Sequence, residues 1–115
     1  MQTVVETPLF IRSAAEAKVS EAELDEIRTL VAENPTVGDV MPGTGGARKL
    51  RFAARGKGKS GGYRIITFYT GEDIPVFLLD LYAKGEKIDL TQGEKNMLKR
   101  LLQRLAESYR SKRYD

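Results

Sequence analysis

The sequence predicts an α+β fold: one antiparallel-dominated sheet packed by helices, in the order β-α-α-β-β-β-α. Two observations lead there. Two capping boxes, Ser20-Glu-Ala-Glu23 and Thr91-Gln-Gly-Glu94, each open a stretch whose apolar residues keep helical spacing. Between them lie three short runs of strand-like composition, divided by glycine-rich punctuation. The length of 115 residues fits one compact domain, 1–115, and no internal repeat divides it.

The elements follow in order. Val4-Val5 begins a short first strand. Thr7 before Pro8 reads as a cap followed by proline at the first helical position. That helix runs to about Ala17, with Leu9, Phe10 and Ile11 expected inward. The Ser20 box opens a second helix carrying Leu24, Ile27, Leu30 and Val31 at helical spacing, and Asn34-Pro35 ends it. A linker is expected from Thr36 to Ala47. Lys49–Ala53 alternates polar and apolar, Tyr63–Tyr69 is β-branched and aromatic, and Val76–Tyr82 is apolar like a central strand. Gly71-Glu-Asp is the turn between the last two. The final helix should place Met97, Leu98, Leu101, Leu102 and Leu105 on one face.

Composition narrows the chemistry. Apolar residues make up 41% and charged residues 30%, as in a soluble globular protein, and no apolar run is long enough to span a membrane. The N-terminus has neither the basic nor the apolar region of a signal peptide. There is no cysteine, which excludes disulfides and permits a reducing compartment. There is no histidine, which removes the commonest acid/base at neutral pH. Neither a metal nor a cofactor is expected.

The net charge of +3 conceals an asymmetry. Residues 1–39 hold eight acids against three basic residues. Residues 40–71 hold Arg48, Lys49, Arg51, Arg55, Lys57, Lys59 and Arg64 and no acid. Such a block suggests a polyanion as partner. The acidic helical pair is better read as fold than as site.

The centre of the block, Ala53 to Ser60, fits a relaxed phosphate-loop pattern, and Val76-Phe-Leu-Leu-Asp80 imitates the companion magnesium-binding strand. A phosphate loop works by leading into a helix whose free N–H groups face the phosphates. Here Ser60 is followed by two glycines and a strand, and Asp80 lies mid-strand, so an NTPase is rejected. A plain hairpin linker needs only two to five residues and no alternating lysines. A phosphodiester site accounts for more. Glycines let backbone approach a ligand, lysines bring mobile charge, and an arginine offers a fork that matches a phosphate. Strand alternation puts Arg64, Ile66 and Phe68 on one face, and Tyr82 and Lys84 on one face of the next strand. If those strands pair, Lys57, Lys59, Arg64, Tyr82 and Lys84 cluster. Such a cluster suits RNA cleavage by 2′-OH attack on the adjacent phosphate, with a lysine as base, Arg64 neutralising the phosphate, and Tyr82 stacking or donating its hydroxyl.

Three stretches, Gly43-Thr-Gly-Gly-Ala-Arg-Lys-Leu-Arg51, Gly56-Lys-Gly-Lys-Ser-Gly-Gly-Tyr-Arg64 and Leu81-Tyr-Ala-Lys84, resemble the RelE/ParE toxin superfamily, closest to its HigB-like branch. The resemblance implies a microbial-RNase-like fold and a cytoplasmic toxin that cuts mRNA on the ribosome. It implies a cognate antitoxin as partner, the pair binding its own operator DNA. It carries the phosphate-binding arginine onto Arg64, the basic pair of the preceding strand onto Lys49 and Arg51, and the basic residue after the last strand onto Lys84. Arg55 belongs to the same RNA-binding stretch. Two departures stand out: Gly85 replaces a second arginine, and Leu90 replaces a stacking tyrosine, a role Tyr82 is then expected to take. The competing functions are a ParE-like inhibitor of DNA gyrase and a non-enzymatic nucleic-acid-binding module.

Overall fold

The computed structural model describes residues 1–53, 62–83, 85 and 90–112. The elements are β1 (Val4–Glu6), α1 (Pro8–Glu16), α2 (Glu21–Glu33), β2 (Asp39–Val40), β3 (Ala47–Phe52), β4 (Tyr63–Phe68), β5 (Val76–Ala83) and α3 (Gln92–Lys112). The five strands form one sheet in the order β1-β5-β4-β3-β2. β1 runs parallel to β5, and the other pairings are antiparallel. The fold is the α+β arrangement expected, with one addition. The linker expected at Thr36–Ala47 contains β2, which pairs Asp39 with Lys49 and Val40 with Arg48.

Local chemistry sets the helix starts. Thr7 accepts a hydrogen bond from the Phe10 N–H and also donates to the Leu78 carbonyl at 3.0 Å, so one hydroxyl caps α1 and fixes it to β5. Such a cap is worth about 1 kcal/mol. Both capping boxes close: Ser20 with Glu23 on α2, and Thr91 with Glu94 on α3. Arg28 of α2 grips both carboxylate oxygens of Glu6 on β1 at 3.2 Å. That contact, the largest cause, holds the Arg28 guanidinium pKa well above its ordinary value. Part of the acidic N-terminal region therefore has a structural duty.

Both sheet faces are covered. On one, Phe10, Ala14, Ile27 and Val31 of α1 and α2 pack on Leu50, Ile65, Leu78 and Leu81. On the other, Leu102 and Ala106 of α3 pack on Ala47, Ile66, Phe68 and Phe77. Tyr109 meets the Phe77 ring edge-on at 5.2 Å. Burial on both faces explains why β4 and most of β5 read as apolar runs.

Two expectations about inward residues are corrected. Leu9 and Ile11 are 47% and 55% exposed, while Phe10 is fully buried. Three consecutive helical residues span about 200° of arc, so a helix lying along a sheet buries only the middle one. On α3, Met97 and Leu101 are 68% and 60% exposed, whereas Leu102 is 1% exposed. The inward stripe is Leu98, Leu102, Leu105, Ala106 and Tyr109.

Candidate functional site

The site is built from a register. β3 pairs Arg51 with Arg64 of β4, and β4 pairs Arg64 with Tyr82 of β5. Directly opposed residues project to the same side, so Arg51, Arg64 and Tyr82 form a row across three strands. The neighbouring row holds Asp39, Lys49, Ile66 and Asp80. Both rows lie on the α3 side of the sheet; α3 covers Ile66 in the second row, while Arg51 at the end of the first is exposed.

A bulge makes the Tyr82 contribution possible. Ile66 pairs with Asp80 but Thr67 pairs with Leu78, which leaves Leu79 as an extra residue. The alternation therefore changes parity. Val76 and Leu78 face α1 and α2, while Asp80 and Tyr82 face the same way as Arg64 and Ile66.

The electrostatics of the row are unusual. Arg51 and Arg64 are like charges placed directly opposite, an arrangement that costs up to about 1 kcal/mol. Among the described residues, Lys49, Arg51 and Arg64 form no ion pair. Arg64 is half-buried and Arg51 exposed. A bound anion would relieve this repulsion. Arg48 points the other way and donates to the Thr36 and Gly38 carbonyls, so it is structural and outside the row.

Beside the rows lies a groove of about 650 Å³. It is lined by Lys49, Ile66, Asp80 and Tyr82 of the sheet, by Met97 and Leu101 of α3, and by Val40 and Met41. Asp80 Oδ1 accepts the Ser13 hydroxyl at 2.7 Å and the Leu81 N–H at 2.8 Å. In the sequence Asp80 is a lone acid within an apolar run. Among the described residues, no group of three or more acidic side chains is placed to hold a metal ion.

Of the residues expected from sequence, the structure brings together Arg64, Tyr82, Lys49 and Arg51. Arg55, Lys57, Lys59 and Lys84 lie outside the described residues. Gly85, which stands where the RelE type has a second arginine, has φ +88, in the left-handed region that side chains resist. Leu90, at the place of the expected stacking tyrosine, lines the groove.

These features define a class: a small α+β protein that presents uncompensated basic residues in a row on an open part of its sheet. The sequence model of the RelE toxin of the RelE/RelB toxin–antitoxin system matches residues 2–113. The chain belongs to the RelE toxin family; it is a toxin of a toxin–antitoxin system, and its partner is an antitoxin. Toxins of this family are generally RNases. No helix among the described residues is long and apolar enough to cross a membrane.

Proposed function

We propose that this toxin is an mRNA endonuclease that acts on the translating ribosome, of the HigB-like type. The observation that carries the reading is the row Arg51–Arg64–Tyr82, in which Arg64 is flanked by a second cation and an aromatic hydroxyl. A phosphodiester seated on Arg64 meets a planar fork that matches two of its oxygens.

The reaction suited to this arrangement is internal transesterification. A base removes the 2′-OH proton, and the 2′-oxygen attacks the adjacent phosphorus. The bond to the 5′-oxygen breaks, and an acid protonates that oxygen. The products are a 2′,3′-cyclic phosphate and a 5′-hydroxyl end. Arg64 stabilises the charge that builds on the phosphate oxygens. Arg51 holds the RNA backbone, Lys49 contacts the RNA beside it, and Tyr82 stacks on a base or donates its hydroxyl. The base is a lysine from Lys57, Lys59 or Lys84.

The test is to map mRNA 5′ ends in cells after induction, wild type beside Arg64→Ala. New 5′-hydroxyl ends within translated codons, absent for folded Arg64→Ala, are expected. Efficient cutting of naked RNA without ribosomes would count against ribosome dependence. Altered DNA supercoiling with intact mRNA would point instead to gyrase. Salt-dependent RNA binding without new ends would leave a binding module only.

A further inference from the structure

We propose that the groove holds a guanine-reading subsite, with Lys49 and Asp80 as its two specificity residues and Ile66 as its floor. This rests on the RNA-cleaving reading above. Ile66 pairs with Lys49 on one side and Asp80 on the other. Adjacent strands are ~4.8 Å apart, so the two polar residues rise from backbones roughly 10 Å apart, with an apolar side chain between them. That places a hydrogen-bond donor at one edge of the groove and an acceptor at the other.

The position relative to Arg64 fits a nucleotide. Arg64 and Ile66 are two residues apart on one face of β4, roughly 6.8 Å along the strand. A phosphate on Arg64 thus leaves its ribose to span that gap and its base over Ile66. Met97 and Leu101 of α3 line the same groove and offer the base an apolar side.

The chemistry selects among bases. Guanine carries two acceptors, O6 and N7, on one edge and two donors, N1–H and the N2 amino group, on another. Lysine reads the first pair and a carboxylate the second. Adenine presents an amino donor towards Lys49 and offers the carboxylate no matching pair of donors. Cytosine and uracil each give a carboxylate a single N–H site.

Asp80 has the attributes of a reading residue. Aspartate is depleted within strands, and here a bulge turns it into the groove. Its Oδ1 is held by Ser13 and by the Leu81 N–H, which fixes the carboxylate plane. Neither of those bonds needs a charge, since an amide oxygen accepts both. The negative charge is left for another purpose. Asp39 lies across from Lys49 on β2, and the two form no ion pair, so the lysine keeps its donors for a ligand.

The experiment measures binding of the monophosphates of guanosine, adenosine, cytidine, uridine and inosine to the purified toxin and to Asp80→Asn, whose amide retains the Ser13 and Leu81 bonds. The wild type should favour guanosine over adenosine monophosphate by roughly 5- to 150-fold, the range for one good bidentate contact. Inosine monophosphate, which lacks the N2 amino group, should bind more weakly than guanosine monophosphate. Asp80→Asn should lose most of both differences. Equal binding of guanosine and adenosine monophosphate by the wild type overturns the proposal, whether or not the variant folds. An unchanged guanosine preference in folded Asp80→Asn also overturns it. In the mapped mRNA ends, wild-type cuts should carry guanine at one fixed position, and Asp80→Asn cuts should not. Selective guanosine monophosphate binding with no mRNA cuts would keep the subsite and defeat the nuclease; cuts with neither preference would do the reverse.

Discussion

Arg64 on β4 lies directly opposite Tyr82 on β5, and the two share a face because Leu79 is an extra residue in the ladder between them and Phe77. Were Leu79 paired as an ordinary strand residue, alternation would carry Asp80 and Tyr82 onto the face of Val76 and Leu78, into the α1/α2 core. Deleting Leu79 should instead leave a regular ladder in which Asp80 directly follows Leu78, and so keep the carboxylate and the phenol on the face of Arg64. We expect growth arrest to persist, with a stability change of about 1–3 kcal/mol read from the urea midpoint. A folded deletion variant without growth arrest would show that this parity alone does not place the row.

Arg64 itself should separate activity from stability. Its removal takes away a phosphate fork but also relieves repulsion from Arg51. Arg64→Ala is expected to lower the cleavage rate by about two to three orders of magnitude. Its stability should equal or slightly exceed that of wild type. Arg64→Lys keeps the charge but loses the fork, and should recover only part of the rate. Single-turnover cleavage on programmed ribosomes and a thermal melt read the two quantities separately. A large drop in melting temperature for Arg64→Ala would make the arginine structural.

These two cases show where the sequence was informative. Arg64 and its face were legible because β4 alternates without interruption, and the neighbouring Lys49 and Arg51 obey the same rule on β3. The turn of Tyr82 toward Arg64 is not legible in the sequence, since no residue type announces a bulge at Leu79. Asp80 reads in the sequence only as a mid-strand acid, because its hydrogen-bond partner Ser13 lies far away in sequence. β2 was missed because two residues carry no period, and its pairing is supported by backbone geometry at Gly38 and Thr44. Thr44 is fully buried, donating to the Met41 carbonyl at 2.7 Å and accepting from the Ala47 N–H at 3.1 Å.

Gly38 gives the third prediction. Its φ is +96, and a Cβ there would lie 2.8 Å from the Lys49 carbonyl oxygen. Gly38→Ala meets both a left-handed backbone and a clash with β3. We expect a loss of about 1–3 kcal/mol. Amide exchange at Lys49 and Met41 should quicken relative to β4, because the β2–β3 pairing is what the clash opens. Unchanged exchange at these amides would disprove the argument.

Tyr63 gives a pH dependence. It is buried beneath α1 and α2, and its hydroxyl has no hydrogen-bond partner among the described residues. Burial, and then the charge of Glu23, push its pKa above the ordinary 10.0. The folded state thus holds the phenol proton more tightly than the unfolded chain does. Its contribution to stability is complete below pH ~10 and is lost as pH rises through the folded value. Tyr63→Phe should be as stable as wild type at pH 7, or up to about 1 kcal/mol more stable, since an unsatisfied hydroxyl is removed. Its stability should fall less steeply above pH ~10, by urea titration at a series of pH values. Because Tyr63 points away from Arg64, toxicity should persist.

The last prediction concerns α3, whose apolar residues look alike in sequence and differ in the fold. Met97 and Leu101 sit four residues apart on a stripe that borders the groove and stays mostly exposed. Leu102, next in sequence, is buried against the sheet with Ala106 and Tyr109. The difference arises because the C-terminal half of α3 is held down. Tyr109 packs on Phe77, and Arg110 donates to Asp73 at 2.7 Å and to Thr70 at 3.2 Å. The N-terminal half has the groove beneath it instead of a packed core. Leu102→Ala should therefore cost about 2–5 kcal/mol through cavity formation. Met97→Gln and Leu101→Gln should each stay within about 0.5 kcal/mol of wild type, as exposed substitutions do. Urea titrations of the three variants decide the matter: comparable losses at all three positions would mean that α3 is packed along its whole length and that the groove is closed in solution.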